Sequence, residues 1–203
     1  MKLYTKPGAC SLADHIVLRW IGQPFELEVM DATTLKSPEY LAINPAGSVP
    51  ALAHEGWVLT QNAAILNYLS DTAPAAGLGG DGSPRSRAEI NRWVAFLNAD
   101  VHTAFHPLFG ASAYLEDPAA IAASQAHARK KLRGLLERID AQLQEKTFLT
   151  GERSIADPYL FVILRWAKAN QIDLTGLHNL DRFFRHMSAD PGVAAAMAAE
   201  GLS

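Results

Sequence analysis

The sequence predicts an α+β protein of two domains, a small βαβαββα domain followed by an all-helical domain. Residues 1–76 alternate short strand-like runs with helical patterns of apolar residues. Residues 77–84 lie at the end of a stretch rich in glycine and proline, and this composition predicts that they form a linker. Residues 85–203 show longer runs with helical spacing. Each element is supported by a local pattern.

In the first domain, apolar runs and alternation predict strands at residues 2–5, 25–30, 49–53 and 57–60. The last two are separated by Glu55-Gly56, a pair typical of a hairpin turn. Apolar spacing and helix-start residues predict helices at 11–21, from Ser37-Pro38 onward, and at 61–70. The first domain therefore begins with a parallel crossover and ends with a hairpin and a helix.

In the second domain, the spacing predicts one long helix over 85–109 and another from Asp117-Pro118 to about Gln144. Two further helices are predicted at 180–187 and 191–199. Ser154 and Asp157 have the spacing of a capping box before an apolar run. We expect these two residues to serve folding rather than chemistry.

Composition limits the function classes. The chain has 203 residues, 49% hydrophobic and 19% charged, with a net charge of -3. This balance argues against nucleic acid or an anionic membrane as the main partner. A single cysteine excludes an internal disulfide, and no cluster of metal-ligand residues is visible, so we expect no metal. We expect a cytoplasmic protein, because neither a signal-like N-terminus nor an apolar run of membrane length is present.

The only cysteine, Cys10, lies between the first predicted strand and the first predicted helix, directly before that helix. The free amides and dipole of a helix start favour a thiolate there, so Cys10 is the first candidate for chemistry. The alternative is a small buried apolar residue that happens to be cysteine.

Two other places suggest recognition of a peptide-like ligand. The main chain of Val49, before Pro50, could pair with an added strand, although an ordinary proline at a strand entry fits equally well. The predicted helix near Gln61 and Asn62 offers amides for a carboxylate, and helix capping by Thr60 or Asn62 is the alternative.

A βαβαββα domain with a cysteine opening its first helix resembles thioredoxin. With the helical domain added, the whole chain resembles the soluble glutathione transferases, and most of all the bacterial beta class. Besides the helix start at Thr60, the resemblance rests on Met1–Tyr4, Lys6–Leu12, Asn44–Leu52, Phe105–Phe109, Ile155–Phe161 and Ala199–Leu202.

The resemblance implies a role for each matching residue. The catalytic residues it implies are Cys10 and His102. The glutathione-binding residues it implies are Cys10, Lys36, Val49, Pro50, Gln61, Asn62, Ala99, Asp100 and His102. Helical spacing predicts that His106 points into or near the pocket for the second substrate, where we also place Phe109, and the resemblance keeps Tyr4 and Ser11 as reserve donors to the sulfur. The sequence departs from the family at Gln61, usually Glu, and at Ala95, often Asn.

The function implied is conjugation of the glutathione thiolate to hydrophobic electrophiles by a homodimer, with glutathione as co-substrate. The first alternative is a glutathione-dependent thiol-disulfide oxidoreductase or peroxidase in which Cys10 is the nucleophile. The second is a non-catalytic carrier of apolar ligands, suggested by the departures at Gln61 and Ala95.

Overall fold

A computed structural model describes all residues from Met1 to Ser203. Its single sheet has four strands in the order β2-β1-β3-β4. The strands are β1 (Lys2–Thr5), β2 (Glu26–Val29), β3 (Ala51–His54) and β4 (Trp57–Thr60). Strand β1 is parallel to β2 and antiparallel to β3, and β4 is antiparallel to β3. The predicted crossover and hairpin are both present.

Eight α-helices accompany the sheet. They are α1 (Ser11–Ile21), α2 (Pro38–Ile43), α3 (Asn62–Thr72), α4 (Pro84–Phe96), α5 (Pro118–Gln142), α6 (Ala156–Ala169), α7 (His178–Ser188) and α8 (Pro191–Ala199). Gly22 ends α1 in the left-handed conformation, at a φ of 73° that favours glycine. The predicted fold class, a thioredoxin-like domain followed by a helical domain, is confirmed, while the boundaries at 1–76, 77–84 and 85–203 stay a prediction.

The long helix predicted over 85–109 is not continuous. Helix α4 ends at Phe96 and passes into a π-helical segment, Leu97–His102. A short 3-10 turn, His106–Phe109, then precedes Gly110. This prediction was wrong after Phe96, because apolar spacing shows a helical face but not the local hydrogen-bond pattern.

The main core extends across both domains. One cluster of 39 buried side chains includes Leu12 and Ile16 from α1, Leu66 from α3 and Leu160 from α6. Helix α1 packs against α3, α6 and α8, so the helix that begins at Cys10 is held by both domains. None of the helices has the length and apolar composition needed to cross a bilayer.

Candidate active site

Two adjoining cavities lie where the domains meet, and both are lined by Cys10 and His102. The smaller, of about 160 Å³, has a mostly polar lining from the start of α1, the segment before β3, the start of α3 and the π-helical segment. We call it the polar cavity. Its other lining residues are Asn44, Ala46, Ser48, Val49, Pro50, Thr60, Gln61, Asn62 and Asn98. The second, of about 440 Å³, is lined by Lys6 to Cys10, His102, Phe109 and Trp166, and we call it the aromatic cavity.

Cys10 lies at the start of α1, as predicted, with its Sγ 3.8 Å from the carbonyl oxygen of Val49. Its ionisation differs from the expectation. Burial, and next the nearby carboxyl of Asp14, raise the pKa of the Cys10 thiol to about 12. Its own amide and that of Ser11 lower the pKa but do not offset burial. The expected bias toward thiolate was therefore wrong for the protein without a ligand.

Asp14 and Asn62 form a buried polar pair behind Cys10. Burial raises the pKa of Asp14 well above its usual range. With the Asn62 amide turned so that its nitrogen faces the acceptors, it donates to Asp14 Oδ2 at 2.9 Å and to the Cys10 carbonyl at 3.1 Å. This side chain ties the start of α3 to the start of α1. Gln61, exposed and at a φ of 75°, is the member of the predicted pair that projects from the protein.

His102 ends the π-helical segment and borders both cavities. Its Nδ1 lies 2.8 Å from the hydroxyl of Tyr159, and that hydroxyl donates to Asn98 Oδ1 at 3.1 Å. Burial, and next the neighbouring His106, lower the pKa of His102 to about 4. His102 is therefore neutral near pH 7, and burial makes its ring a weak base in the protein without a ligand.

Aromatic rings form one wall of the aromatic cavity. Trp166 lies edge-on to His102, with centroids 4.7 Å apart, and to Phe109 at 5.3 Å. Phe109 stacks on buried Phe105 and is 48% exposed, so its other face is open to a ligand. The indole of Trp166 donates to the carbonyl of Gly8 at 2.8 Å, which ties α6 to the loop before Cys10. The cavity suits a flat apolar molecule.

Several predicted site residues lie outside both linings. Lys36 is exposed in a 3-10 turn, and Ala99 and Asp100 are exposed on the π-helical segment. His106 is also exposed, although its ring lies 5.8 Å from that of His102. Of the two residues predicted for the second-substrate pocket, only Phe109 lines the aromatic cavity.

The two reserve donors are engaged within the protein. The Ser11 hydroxyl is buried, lies 2.8 Å from the Thr5 hydroxyl and accepts from the Lys6 amide at 3.3 Å. Tyr4 packs on Tyr40 in a small separate cluster. Neither lines the polar cavity or the aromatic cavity.

Reasoning from the sequence missed the residues that surround His102. Asn98 precedes His102 by four residues, a spacing that could have placed both on one side of the helix. Tyr159 and Trp166 are seven residues apart on α6, which is also close to one face. Both carry a polar group on an apolar helix, and this was the available signal.

The predicted cap of α6 is built mainly by Asp157. Its carboxylate accepts from the Ser154 amide at 2.7 Å, from the Ser154 hydroxyl at 3.1 Å and from the Leu149 amide at 2.9 Å. The Ser154 hydroxyl accepts from the amide of Ala156 at 3.3 Å. These bonds hold the start of α6, which supports the interpretation of a structural role.

Comparisons with known proteins agree with this architecture. Residues 1–71 match the glutathione S-transferase N-terminal domain, and residues 97–191 match the C-terminal domain. The chain belongs to the glutathione S-transferase family, and the predicted class of enzyme, a glutathione transferase, is confirmed.

Individual relatives are similar over the full length. Glutathione S-transferase GST-4.5 of Xanthomonas campestris pv. campestris is 63% identical over 204 residues, covering 100% of both chains. The structure of a Xylella fastidiosa glutathione S-transferase has 60% identity and a TM-score of 0.97, covering 100% of this chain and 99% of that one. A bacterial beta class enzyme of Sphingomonas chungbukensis has 37% identity and a TM-score of 0.88, with 100% of both chains covered. The resemblance to the beta class is thus confirmed, and it supports conjugation rather than the two alternatives.

Proposed function

We propose that the protein joins the sulfur of glutathione to apolar, flat electrophiles at the junction of the polar and aromatic cavities. The observation that supports this most directly is that the two cavities share Cys10 and His102. A peptide-like thiol lying in the polar cavity has its sulfur at that junction. An electrophile lying against Phe109 and Trp166 then faces the sulfur, which supplies proximity.

The polar cavity offers the groups that a γ-glutamyl peptide needs. The start of α3 presents free amides for the γ-glutamyl carboxylate, and Gln61 supplies an amide side chain. The main chain of Val49 lies beside Cys10 and is positioned for the cysteinyl unit. We assign Pro50 and Asn62 to shaping this surface. A bound glutathione would also reach three residues outside this lining, namely Lys36, Ala99 and Asp100.

His102 acts as the proton acceptor, because the thiolate that forms beside the ring favours the imidazolium and offsets the burial that lowers the pKa of His102. The S–H bond of glutathione breaks, its proton moves to His102, and the sulfur attacks the carbon of an aryl halide. A carbon–sulfur bond forms, halide leaves, and His102 returns the proton to water. The Cys10 thiol, protonated because of its burial, can donate a hydrogen bond to the thiolate of glutathione.

We further propose a cytoplasmic homodimer that uses no metal and binds neither nucleic acid nor membrane. Exposed Trp57 and Val58 on the edge strand β4 support a protein contact there. A single cysteine, which is free, supports a reducing compartment.

The test is conjugation of glutathione to 1-chloro-2,4-dinitrobenzene by wild type, His102→Ala and Cys10→Ser. We expect turnover by wild type, a loss of about 10²-fold in kcat/KM for His102→Ala, and survival of turnover in Cys10→Ser. The matched control is His54→Ala, because His54 also bonds a tyrosine hydroxyl but lines neither cavity. Glutathione binding without turnover of varied electrophiles would favour the carrier alternative.

A further inference from the structure

A chain of two hydrogen bonds leads from His102 into the helical domain. Tyr159 is fully buried on α6 and stands between the His102 ring and the amide of Asn98. His102 and Asn98 come from the π-helical segment, whereas Tyr159 comes from a different helix. The three residues therefore fix the ring against both elements.

The direction of these bonds determines where the imidazole carries its proton. A tyrosine hydroxyl has one hydrogen, and we assign that hydrogen to the bond with Asn98 Oδ1, which lies 3.1 Å away and can only accept. With this assignment the Tyr159 oxygen, 2.8 Å from His102 Nδ1, accepts a hydrogen from that nitrogen. A neutral imidazole protonated at Nδ1 has a free electron pair on Nε2. No group of the protein bonds Nε2, and the ring borders both cavities.

We propose that Tyr159 and Asn98 are positioning residues that hold His102 in the tautomer whose Nε2 receives the thiol proton of glutathione. This inference rests on the proposed function. When the thiol transfers its proton, the S–H bond breaks and an N–H bond forms at Nε2. The Nδ1–H of the resulting imidazolium donates a hydrogen bond to the Tyr159 oxygen, which stabilises the positive charge. The Tyr159 hydroxyl keeps its own proton and donates a hydrogen bond to Asn98.

The other ionisable groups around His102 do not take over the role of the hydrogen-bonded chain through Tyr159 and Asn98. Cys10 and Lys6 face it from the loop and helix start of the first domain, and His106 lies beside it in the chain. Burial raises the pKa of the Tyr159 hydroxyl, so it stays protonated and acts only as a hydrogen-bonding link. Tyr159 thus orients the His102 ring without placing a negative charge beside it, whereas a carboxylate partner would.

The test compares Tyr159→Phe and Asn98→Ala with wild type in conjugation assays across pH. We expect Tyr159→Phe to lower kcat about tenfold with little change in the KM for glutathione. Its pH–rate profile moves toward higher pH, because a ring free to change tautomer accepts the thiol proton less well. Asn98→Ala shows the same pattern, since a Tyr159 hydroxyl without that acceptor can donate to His102 Nδ1 and favour the tautomer protonated at Nε2.

Tyr68→Phe is the matched control. The Tyr68 hydroxyl lies 2.7 Å from His54 Nδ1, the same kind of pair, away from both cavities. We expect its pH–rate profile to equal that of wild type. A wild-type profile in Tyr159→Phe as well would overturn the proposal.

A second measurement does not depend on turnover. Long-range ¹H–¹⁵N correlation spectra, assigned with His102→Gln, report which ring nitrogen of His102 carries hydrogen. We expect Nδ1–H in wild type and a mixture of tautomers in Tyr159→Phe. Nε2–H in wild type contradicts the inference. If wild type conjugates nothing, the proposed function and the thiol-proton transfer fail together, and the spectra then test only whether Tyr159 and Asn98 set the tautomer of His102.

Discussion

At Cys10 two physical effects act on one thiol in opposite directions. The helix start supplies amides that favour the thiolate, and the packing of α1 against both domains removes the water that would solvate it. The raised pKa, about 12, shows that burial dominates in the protein without a ligand. A neutral thiol is a hydrogen-bond donor and a weak nucleophile. The residue is thus better suited to stabilise another thiolate than to attack.

We predict that iodoacetamide modifies Cys10 about 10² to 10³ times more slowly than free glutathione at pH 7.5, because a larger fraction of the free thiol is ionised. The rate of modification should rise about tenfold per pH unit between pH 7 and 9, since at a pH well below the pKa the thiolate fraction rises tenfold with each pH unit. Intact mass spectrometry measures it without ambiguity, as the chain has one cysteine.

Cys10→Ser is the blank for this experiment. A rate that is already constant above pH 8 would place the thiol pKa near or below 8 and contradict the balance described for Cys10. In that case the alternative function, thiol-disulfide exchange with Cys10 as the nucleophile, would regain support.

At the scale of elements, local patterns predicted the first domain well and the helices around the site less well. Strand β1, helix α1 and the β3–β4 hairpin are defined by short-range alternation, caps and turns, which the sequence shows directly. The π-helical segment is not, because the extra residue in its turn rotates the later residues about the helix axis, and apolar spacing does not show where that residue enters. As a result Asn98 was missed, and His106, predicted to line the second-substrate pocket, is exposed and absent from the lining of the aromatic cavity.

The site also depends on α6, where the sequence is apolar over most of its length. Ten of its residues are buried, from Ala156 to Ala167, so no single face stands out. Which polar tips meet a cavity is then decided by packing against α1 and α4. The polar groups of Tyr159 and Trp166 mark them as candidates, but which cavity they reach could not be assigned before that packing was known.

The start of α6 gives a prediction about stability. Asp157→Ala removes a carboxylate that accepts three hydrogen bonds and leaves two buried amides without partners. We expect a loss of about 1–2 kcal/mol in the free energy of unfolding, with a lower Tm. Chemical denaturation followed by circular dichroism measures this. Asp117→Ala is a cap control, because Asp117 caps exposed α5 through one bond and should cost less.

The same carboxyl has a signature in pH. Burial raises the pKa of Asp157 from 3.8 to about 6, so between these values the folded state holds a proton that the unfolded state releases. Stability from this group therefore falls as pH rises from 4 to 6 and is constant above. The stability gap between wild type and Asp157→Asn should narrow over this range, by at most about 3 kcal/mol. A gap that widens contradicts the raised pKa.

At the scale of the whole molecule, the end of the chain is anchored beneath the start of the active-site loop. Glu200, just after α8, is buried and receives the Thr5 hydroxyl at 2.9 Å and the Gly8 amide at 3.2 Å. His15 Nδ1 lies 3.0 Å from the same carboxylate, and Arg19 donates to the other nitrogen of that ring at 3.2 Å. One side chain of the helical domain thus fixes β1, the loop and α1 together.

We predict that Glu200→Ala destabilises the protein by about 2–4 kcal/mol, because several buried donors lose their acceptor. Because Gly8 also accepts from Trp166, loosening this loop should raise the KM for the electrophile more than that for glutathione. Urea unfolding and steady-state kinetics measure the two effects. Glu200→Gln keeps one acceptor oxygen and should lose less, and Glu152→Ala, at an exposed position, should match wild type. If Glu200→Ala unfolds like Glu152→Ala, the anchor does not couple the domains. If stability falls while both KM values stay at wild type, the loop is held by Trp166 and the sheet instead.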